Sequence, residues 1–457
     1  MSIKSINPYN QGLLNEFEEY SNSKLEHAID LAENTFAYWK HTTFAERSKL
    51  MLTCSNLLEE RIDSLARIIT LEMGKVILES RAEVQKCAWV CRYYAEHAER
   101  FLSDEPLPLK EADSYIAYDP LGVILAIMPW NFPLWQVFRF AAPGIMAGNV
   151  GLLKHASNVP QCAIEIEKLF IDAGFPEGIF QSLLIGSSKV NKIIDDPRIR
   201  AVTLTGSDIA GRKVAERAGK NLKKLVLELG GSDPFIVLQD ADITKAVDTA
   251  VKARMINCGQ SCIAAKRFIL EKNIADEFIS GFQNKMMTLS WGDPLKEDTD
   301  YGPLAREDLL IELGHQVSTS VQLGAKVILG GKRINHAGNF FQPTILTNVR
   351  SGMPGFNQEL FGPVASMITV NDRDEAVEVA NKSRFGLAAS LWTRDLENAK
   401  KIARKIEAGA VFINSMVASH PEVPFGGIKD SGYGRELSYL GIREFMNAKS
   451  VWIAKNV

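Results

Sequence analysis

Apolar positions along this chain change their period several times. Between 23 and 72 they recur at three- and four-residue steps, at Leu25, Ala28, Ile29, Ala32 and Phe36, then at Leu50, Leu57, Leu58, Leu65, Ile68 and Ile69. This spacing places them on one face of a helix and predicts two or more amphipathic helices. Gly74 interrupts the pattern, and a long helix is predicted over 77–101. Residues 1–20 show no period and read as an irregular lead-in. Pro106, Pro108 and Pro120 surround Ser114-Tyr115-Ile116-Ala117-Tyr118, which reads as a ribbon standing off the main fold. The run 123–128 is uniformly apolar, as a parallel strand covered on both faces should be. It ends in Pro129-Trp130-Asn131-Phe132-Pro133, and Pro133 suits the first turn of a helix reaching about 147.

From 150 the pattern alternates. Strands at 150–154, 180–185, 200–204 and 223–228 are separated by helices at 161–173, 187–194 and 209–218. That is the punctuation of a doubly wound, mostly parallel sheet. Gly230-Gly231-Ser232-Asp233-Pro234 marks a hinge. A second alternating unit follows, with strands at 235–238, 267–270 and 326–329 and helices at 243–257, 274–289, 309–323 and 376–383. The fold class is α/β.

Composition narrows the function classes. A chain of 457 residues with 46% hydrophobic and 23% charged residues has the balance of a globular protein of two or three domains. A net charge of -3 gives no electrostatic reason to expect nucleic acid or an anionic membrane as partner. The most apolar long stretch, 121–148, is broken by three prolines, Asn131, Gln136 and Arg139, and reads as buried core. The first thirty residues hold Glu16, Glu18, Glu19, Glu26 and Asp30 and no apolar run, so no signal peptide is expected. Six cysteines without a paired framework read as reduced thiols of a cytoplasmic protein. Cys87 and Cys91 share a helical face, which suits small buried thiols better than a metal or redox pair. No metal is expected.

Candidate chemistry centres on Asn257-Cys258-Gly259-Gln260-Ser261-Cys262, where Cys262 sits among small and polar residues before a strand-like run. No G-x-G-x-x-G occurs. Thr205-Gly206-Ser207-Asp208-Ile209-Ala210-Gly211 instead follows a predicted strand and opens a helix, a place where free N–H groups and the helix dipole favour an anion. The spacing suggests a P-loop, but Arg212-Lys213 follow where Lys-Ser/Thr is required, so a nucleoside triphosphate is excluded. Lys154 lies at the carboxyl end of its strand, where ligands of such sheets bind. Taken singly, each residue has a plain structural reading: a buried thiol, a strand–helix turn, a solvated lysine.

Taken together, the chain resembles the aldehyde dehydrogenase superfamily. The matching segments are Pro129-Trp130-Asn131-Phe132-Pro133, Lys154, Thr205-Gly206-Ser207, Leu227-Glu228-Leu229-Gly230-Gly231, Gly259-Gln260-Ser261-Cys262, Gln358-Glu359-Leu360-Phe361-Gly362-Pro363-Val364 and Pro424-Phe425-Gly426-Gly427-Ile428-Lys429. They stand in the family's order and spacing from about residue 7 to the end. Gly434-Arg435-Glu436-Leu437-Ser438 adds a resemblance to the short bacterial branch of succinate-semialdehyde dehydrogenases. The resemblance implies a Rossmann-like cofactor domain (1–101 and 121–229), an α/β catalytic domain (230–432) and a small β oligomerisation element (102–120 and 433–457). It implies homodimers or homotetramers.

It also implies roles. Cys262 attacks the aldehyde as a thiolate, its pKa lowered by a helix N-terminus and the cofactor's positive ring. Asn131 and the Cys262 N–H hold the oxyanion. Glu228, desolvated at the end of an apolar strand, activates the water that hydrolyses the thioester. Trp130, Lys154, Ser157, Gly206, Ser207, Glu359 and Phe361 bind NAD or NADP. Many NAD-specific relatives carry a glutamate where this chain has Ser157, so NADP is expected to be tolerated. A redox switch through a cysteine at 264 is not expected, because that position is Ala264; Cys258 remains a possible disulfide partner.

The substrate reading rests on Arg139. Positions 131, 135 and 139 share a helical face, so Arg139 should face the tunnel with Asn131 and Trp135 and clamp the far carboxylate of a semialdehyde. A structural ion pair is the alternative role for it. Succinate-semialdehyde enzymes use a second arginine six residues before the nucleophile, where this chain has Ile256. Ser419 or His420 is expected to complete the site. Succinate semialdehyde is the expected substrate, with another aliphatic or ω-carboxy aldehyde as alternative. A CoA-acylating enzyme is disfavoured by Glu228, and a catalytically silent homologue by the intact Cys262, Glu228 and Asn131.

Overall fold

A computed structural model describes residues 2–455. Two parallel sheets carry the fold. In the first, the strands Phe180–Ser182, Val150–His155, Val123–Met128, Ile199–Thr205 and Lys224–Glu228 lie side by side in that order, all parallel. Numbered along the chain, the order is 3-2-1-4-5, the Rossmann-type arrangement, and its direction of winding reverses between Val123–Met128 and Ile199–Thr205. The carboxyl ends of these two strands lead directly into Trp130-Asn131 and Gly206-Ser207. Valine, leucine and isoleucine dominate the strands because helices cover both faces. The packed side includes Asn22–Trp39, Phe44–Glu60, Ile62–Met73 and Ile77–Phe101. Trp39, Met51, Leu58, Ile69 and Val84 are buried in the core that these elements share with the sheet.

The second sheet orders its strands Lys326–Leu329, Thr344–Thr347, Val364–Val370, Arg267–Glu271, Pro234–Val237, Ala388–Trp392 and Ala410–Ile413. All but the first pair are parallel. Four of these strands (Thr344–Thr347, Val364–Val370, Ala388–Trp392 and Ala410–Ile413) lie outside the alternation read from the sequence. Each begins just after glycine or proline residues (Pro343, Gly362-Pro363, Gly386 and Gly409). A three-stranded antiparallel sheet joins Glu105–Pro108, Ala112–Pro120 and Met446–Ala454.

Several expectations are corrected. The lead-in expected to be irregular is ordered over its described part: Ser2–Ile6 and Leu13–Glu18 form an antiparallel hairpin. The helix after Val123–Met128 begins at Trp135, so Pro133 precedes it and Asn131 lies outside it. Gly432–Tyr433, expected partly in the third element, instead pairs with Leu227 and Glu228 and extends the first sheet. The helix beginning at Ile243 ends at Met255 and passes into a short 3₁₀ turn, Ile256–Gly259.

Candidate active site

The loop before Cys262 has an unusual backbone. Asn257 and Cys258 take φ of 52° and 53°, and Gly259 takes 75°. Left-handed conformations are costly for non-glycine residues and persist only where surroundings hold them. Here the hold is visible. Asn257 Nδ2 donates to the carbonyls of Asn131 (2.7 Å) and Gln260 (3.1 Å), and Arg254 Nη2 donates to Gly259 O at 2.7 Å. The Asn257 N–H reaches the Glu79 carboxylate at 2.9 Å. A side chain at 259 would sit 2.2 Å from Gly362 O, so only glycine fits. On the far side, Lys266 Nζ donates to the carbonyls of Ser261, Cys262 and Ala264 at 2.9, 2.8 and 3.1 Å.

Cys262 is the one partly exposed cysteine among six free ones. It lines a cavity of about 200 Å³ with Phe132, Trp135, Ile256, Met416 and Phe425. No helix begins at Cys262, which corrects the expected helix N-terminus. Burial pushes its thiol up to about 12, with Arg139 and Lys266 acting the other way. Asn131 is tied to the loop before Cys262: its Nδ2 donates to Gln260 O at 3.1 Å, two residues before the thiol, although Asn131 itself is not part of the cavity lining. Cys258 is buried, its thiol raised first by burial and then by Glu79.

Glu228 closes the strand Lys224–Glu228, paired with Thr205 on one side and Gly432 on the other. Both carboxylate oxygens are buried without a hydrogen-bond donor among the described residues. Burial raises its pKa well above the usual carboxylate range, Glu436 adds to this, and Arg139 and Arg435 oppose it. Arg139 thus acts on both Cys262 and Glu228.

Arg139 lines the cavity as expected, but its guanidinium is engaged. It forms a buried ion pair with Glu436, stacks over Phe425 at 4.4 Å and approaches Thr205 Oγ1 at 3.4 Å. The ion pair fits the structural alternative for Arg139, and a carboxylate clamp there would have to share the guanidinium with Glu436. Trp135 and Ser419 line the same cavity. His420 stacks against Trp89 instead, at 5.6 Å.

The cofactor-binding candidates gather at the carboxyl ends of the first sheet. Ser207 caps the helix Asp208–Lys220 through its Oγ, which accepts from Ala210 N at 3.2 Å. Lys154 is half-buried at its strand end, its ammonium pushed down by burial, and Ser157 is exposed just beyond. Trp130 and Phe361 meet edge-to-face at 5.8 Å. Glu359 Oε1 accepts from Gly231 N at 3.1 Å and pairs with Lys266 at 3.4 Å. A Cβ at 230 would lie 2.4 Å from Glu359 Oε2, so glycine there makes room for the carboxylate. An anion-favouring turn, an unpaired lysine and no acid at 157 fit a dinucleotide carrying a 2′-phosphate.

Several site residues carry no local sequence signal. Lys266 and Glu436 reach the site only through the fold. Glu83 accepts from the N–H groups of Leu134 (2.9 Å) and Trp135 (3.0 Å) and so caps a helix of another segment. Its other oxygen pairs with Lys75. Glu79, Glu83 and Lys86 share one face of Ile77–Phe101 and line the cavity. Their spacing of four and three was the available clue, because charges interrupt an otherwise apolar stripe.

Known proteins resemble this chain along nearly its whole length. The pattern described as "Aldehyde dehydrogenase family" matches residues 1–451. The chain is 53% identical over 454 residues to the protein named "Probable succinate-semialdehyde dehydrogenase", NADP(+) type, of Synechocystis sp., covering 99% of this chain and 100% of that one. It is 50% identical over 457 residues to "Succinate-semialdehyde dehydrogenase 1", NADP(+) type, of Mycobacterium tuberculosis, covering 99% and 100%. The crystal structure of succinic semialdehyde dehydrogenase from Streptococcus pyogenes with NADP+ superimposes with a TM-score of 0.98 at 39% identity, covering 99% of this chain and 100% of that one.

Proposed function

The chain belongs to the aldehyde dehydrogenase family, and we propose that it oxidises succinate semialdehyde to succinate with NADP. The observation that carries this reading is the placement of Cys262. It is the one partly exposed thiol of the chain, and it lines a mainly apolar cavity that also holds Glu79, Glu83, Lys86 and Arg139. The relatives' names supply the substrate class.

The chemistry follows from the groups around Cys262. Its sulfur, as thiolate, adds to the aldehyde carbon, and the carbonyl π pair moves to oxygen. The alkoxide so formed meets the Asn131 amide and the Cys262 N–H, donors fixed before the reaction begins. NADP, held by Lys154, Ser157, the Gly206-Ser207 turn, Glu359 and the Trp130–Phe361 pair, supplies the acceptor for the hydride that leaves this carbon. The carbon is then a thioester of Cys262. Glu228, short of hydrogen-bond donors and desolvated, takes a proton from water, whose oxygen adds to the thioester carbon. The carbon–sulfur bond breaks and the acid leaves. The net change consumes aldehyde, NADP+ and water, and yields carboxylate, NADPH and two protons.

The burial of Cys262 and Glu228 makes both groups strong bases when ionised. Arg139 lies within electrostatic reach of both and favours the charged forms. The same proposal includes assembly with further copies of the chain. The edge strand Met446–Ala454 exposes Trp452 and Ile453, at 60% and 53%, beside a nine-pair antiparallel ladder. That edge suits a second copy of the chain, in a dimer or tetramer. Six unpaired thiols suit a reducing cytoplasm. Among the described residues no helix is long and apolar enough to cross a membrane.

Initial rates with succinate semialdehyde, butanal and larger aldehydes, each with NAD and NADP, test the proposal. The expected result is a kcat/KM for succinate semialdehyde with NADP at least about tenfold above that for butanal. Equal values for the two aldehydes would reject the substrate.

A further inference from the structure

With Ile256 in place of an arginine and Arg139 tied to Glu436, the charged end of a semialdehyde needs another partner. The charged residues of the cavity lining can be taken in turn. Glu79 accepts from Asn257 N, and Glu83 caps Leu134 and Trp135 while pairing with Lys75. Arg139 pairs with Glu436. Lys86 remains: among the described residues it has no carboxylate within ion-pair distance. Its ammonium lies over the Trp135 ring at 4.3 Å and donates to Ser419 Oγ at 2.8 Å.

We propose that Lys86, seated between Trp135 and Ser419, is the group that binds the distal carboxylate of the substrate and so selects ω-carboxy aldehydes. This rests on the reading of the cavity as the aldehyde site. The geometry suits the task. An ammonium has three donors, and Ser419 takes one, which leaves two for a carboxylate. The Ser419 hydroxyl accepts from Lys86 and keeps its own proton to donate to the second carboxylate oxygen. The Trp135 ring fixes the ammonium by cation–π attraction without neutralising it. A carboxylate arriving there replaces lost hydration with charge-assisted hydrogen bonds.

The electrostatics agree. Burial, and then the like charge of Arg139, push the Lys86 ammonium down to about 8. A cation held without a matching anion behaves in this way, and an incoming carboxylate relieves it. Lys86 and Cys262 line the same cavity. The aldehyde carbon then meets Cys262 while the carboxylate meets Lys86, with Phe132, Ile256 and Met416 lining the space around the methylenes.

The test is the ratio of kcat/KM for succinate semialdehyde to that for butanal, measured with NADP in the wild type, Lys86→Met, Lys86→Arg and Ser419→Ala. Lys86→Met should lower the ratio about 10- to 100-fold, mostly through KM for the acid. Lys86→Arg should retain most of the preference, and Ser419→Ala should lower it less than Lys86→Met does. If Lys86→Met does not fold, Lys86→Gln takes its place in the same comparison. A wild-type preference that survives removal of the ammonium overturns the role of Lys86 and leaves the function intact. A wild type without preference overturns the substrate reading itself.

Discussion

Arg139 and Glu436 form an ion pair that is almost wholly buried, with side-chain exposures of 2% and 5%, and Glu228 lies within electrostatic reach of both. Removing one member leaves a buried charge without its partner. Arg139→Met should therefore destabilise the protein by roughly 3–5 kcal/mol in urea unfolding. Arg139→Met combined with Glu436→Gln should recover much of that loss. Activity toward acidic and neutral aldehydes should fall together in the single variant. A fall confined to succinate semialdehyde would return Arg139 to the role of carboxylate clamp.

Alkylation reports the state of Cys262. Burial holds its thiol near 12, and only the thiolate is nucleophilic. Iodoacetamide inactivation without cofactor should therefore quicken about tenfold per pH unit between pH 7 and 10. The sign follows from the raised pKa, because the thiolate fraction keeps growing until pH passes 12. Cys262→Ser should abolish turnover. A plateau in inactivation at pH 8 would mean that other charges ionise the thiol.

Glu228→Gln separates the two halves of the reaction. Acylation does not need the base, so a first burst of NADPH equal to the enzyme concentration should persist. Steady turnover should fall about 10²- to 10⁴-fold. In the wild type, the raised pKa of Glu228 means that the base is fully available only at higher pH, so hydrolysis should quicken as pH rises. Unchanged steady turnover in the variant would assign water activation elsewhere.

Substitution of Ser157 tests the choice of cofactor. It is exposed beyond Lys154, with no carboxylate at that position to repel a 2′-phosphate. Ser157→Glu should raise KM for NADP about tenfold or more by like-charge repulsion and leave KM for NAD within a few-fold. Titration of initial rates against each cofactor checks this. Equal shifts for both would place the phosphate away from Ser157.

Local periodicity in the sequence was enough to read the parallel α/β fold. Uniformly apolar strands and amphipathic helices need no distant partner, whereas the roles expected of Asn131, Glu228 and Cys262 came from the resemblance of their segments to a family, since each residue taken singly has a plain structural reading. The chain order of strands, the hairpin at the start and the extra strands of the second sheet depend on long-range pairing, which no local pattern encodes. The assignment of charges depended on the tertiary structure still more. From sequence, Arg139 was the expected cation of the tunnel, with a structural ion pair as the alternative. In the fold, Glu436 comes from near the end of the chain to neutralise Arg139, and Ser419 and Trp135 hold Lys86 without neutralising it. A residue type fixes what charge a side chain carries. Whether that charge is free to meet a substrate depends on what the fold buries beside it.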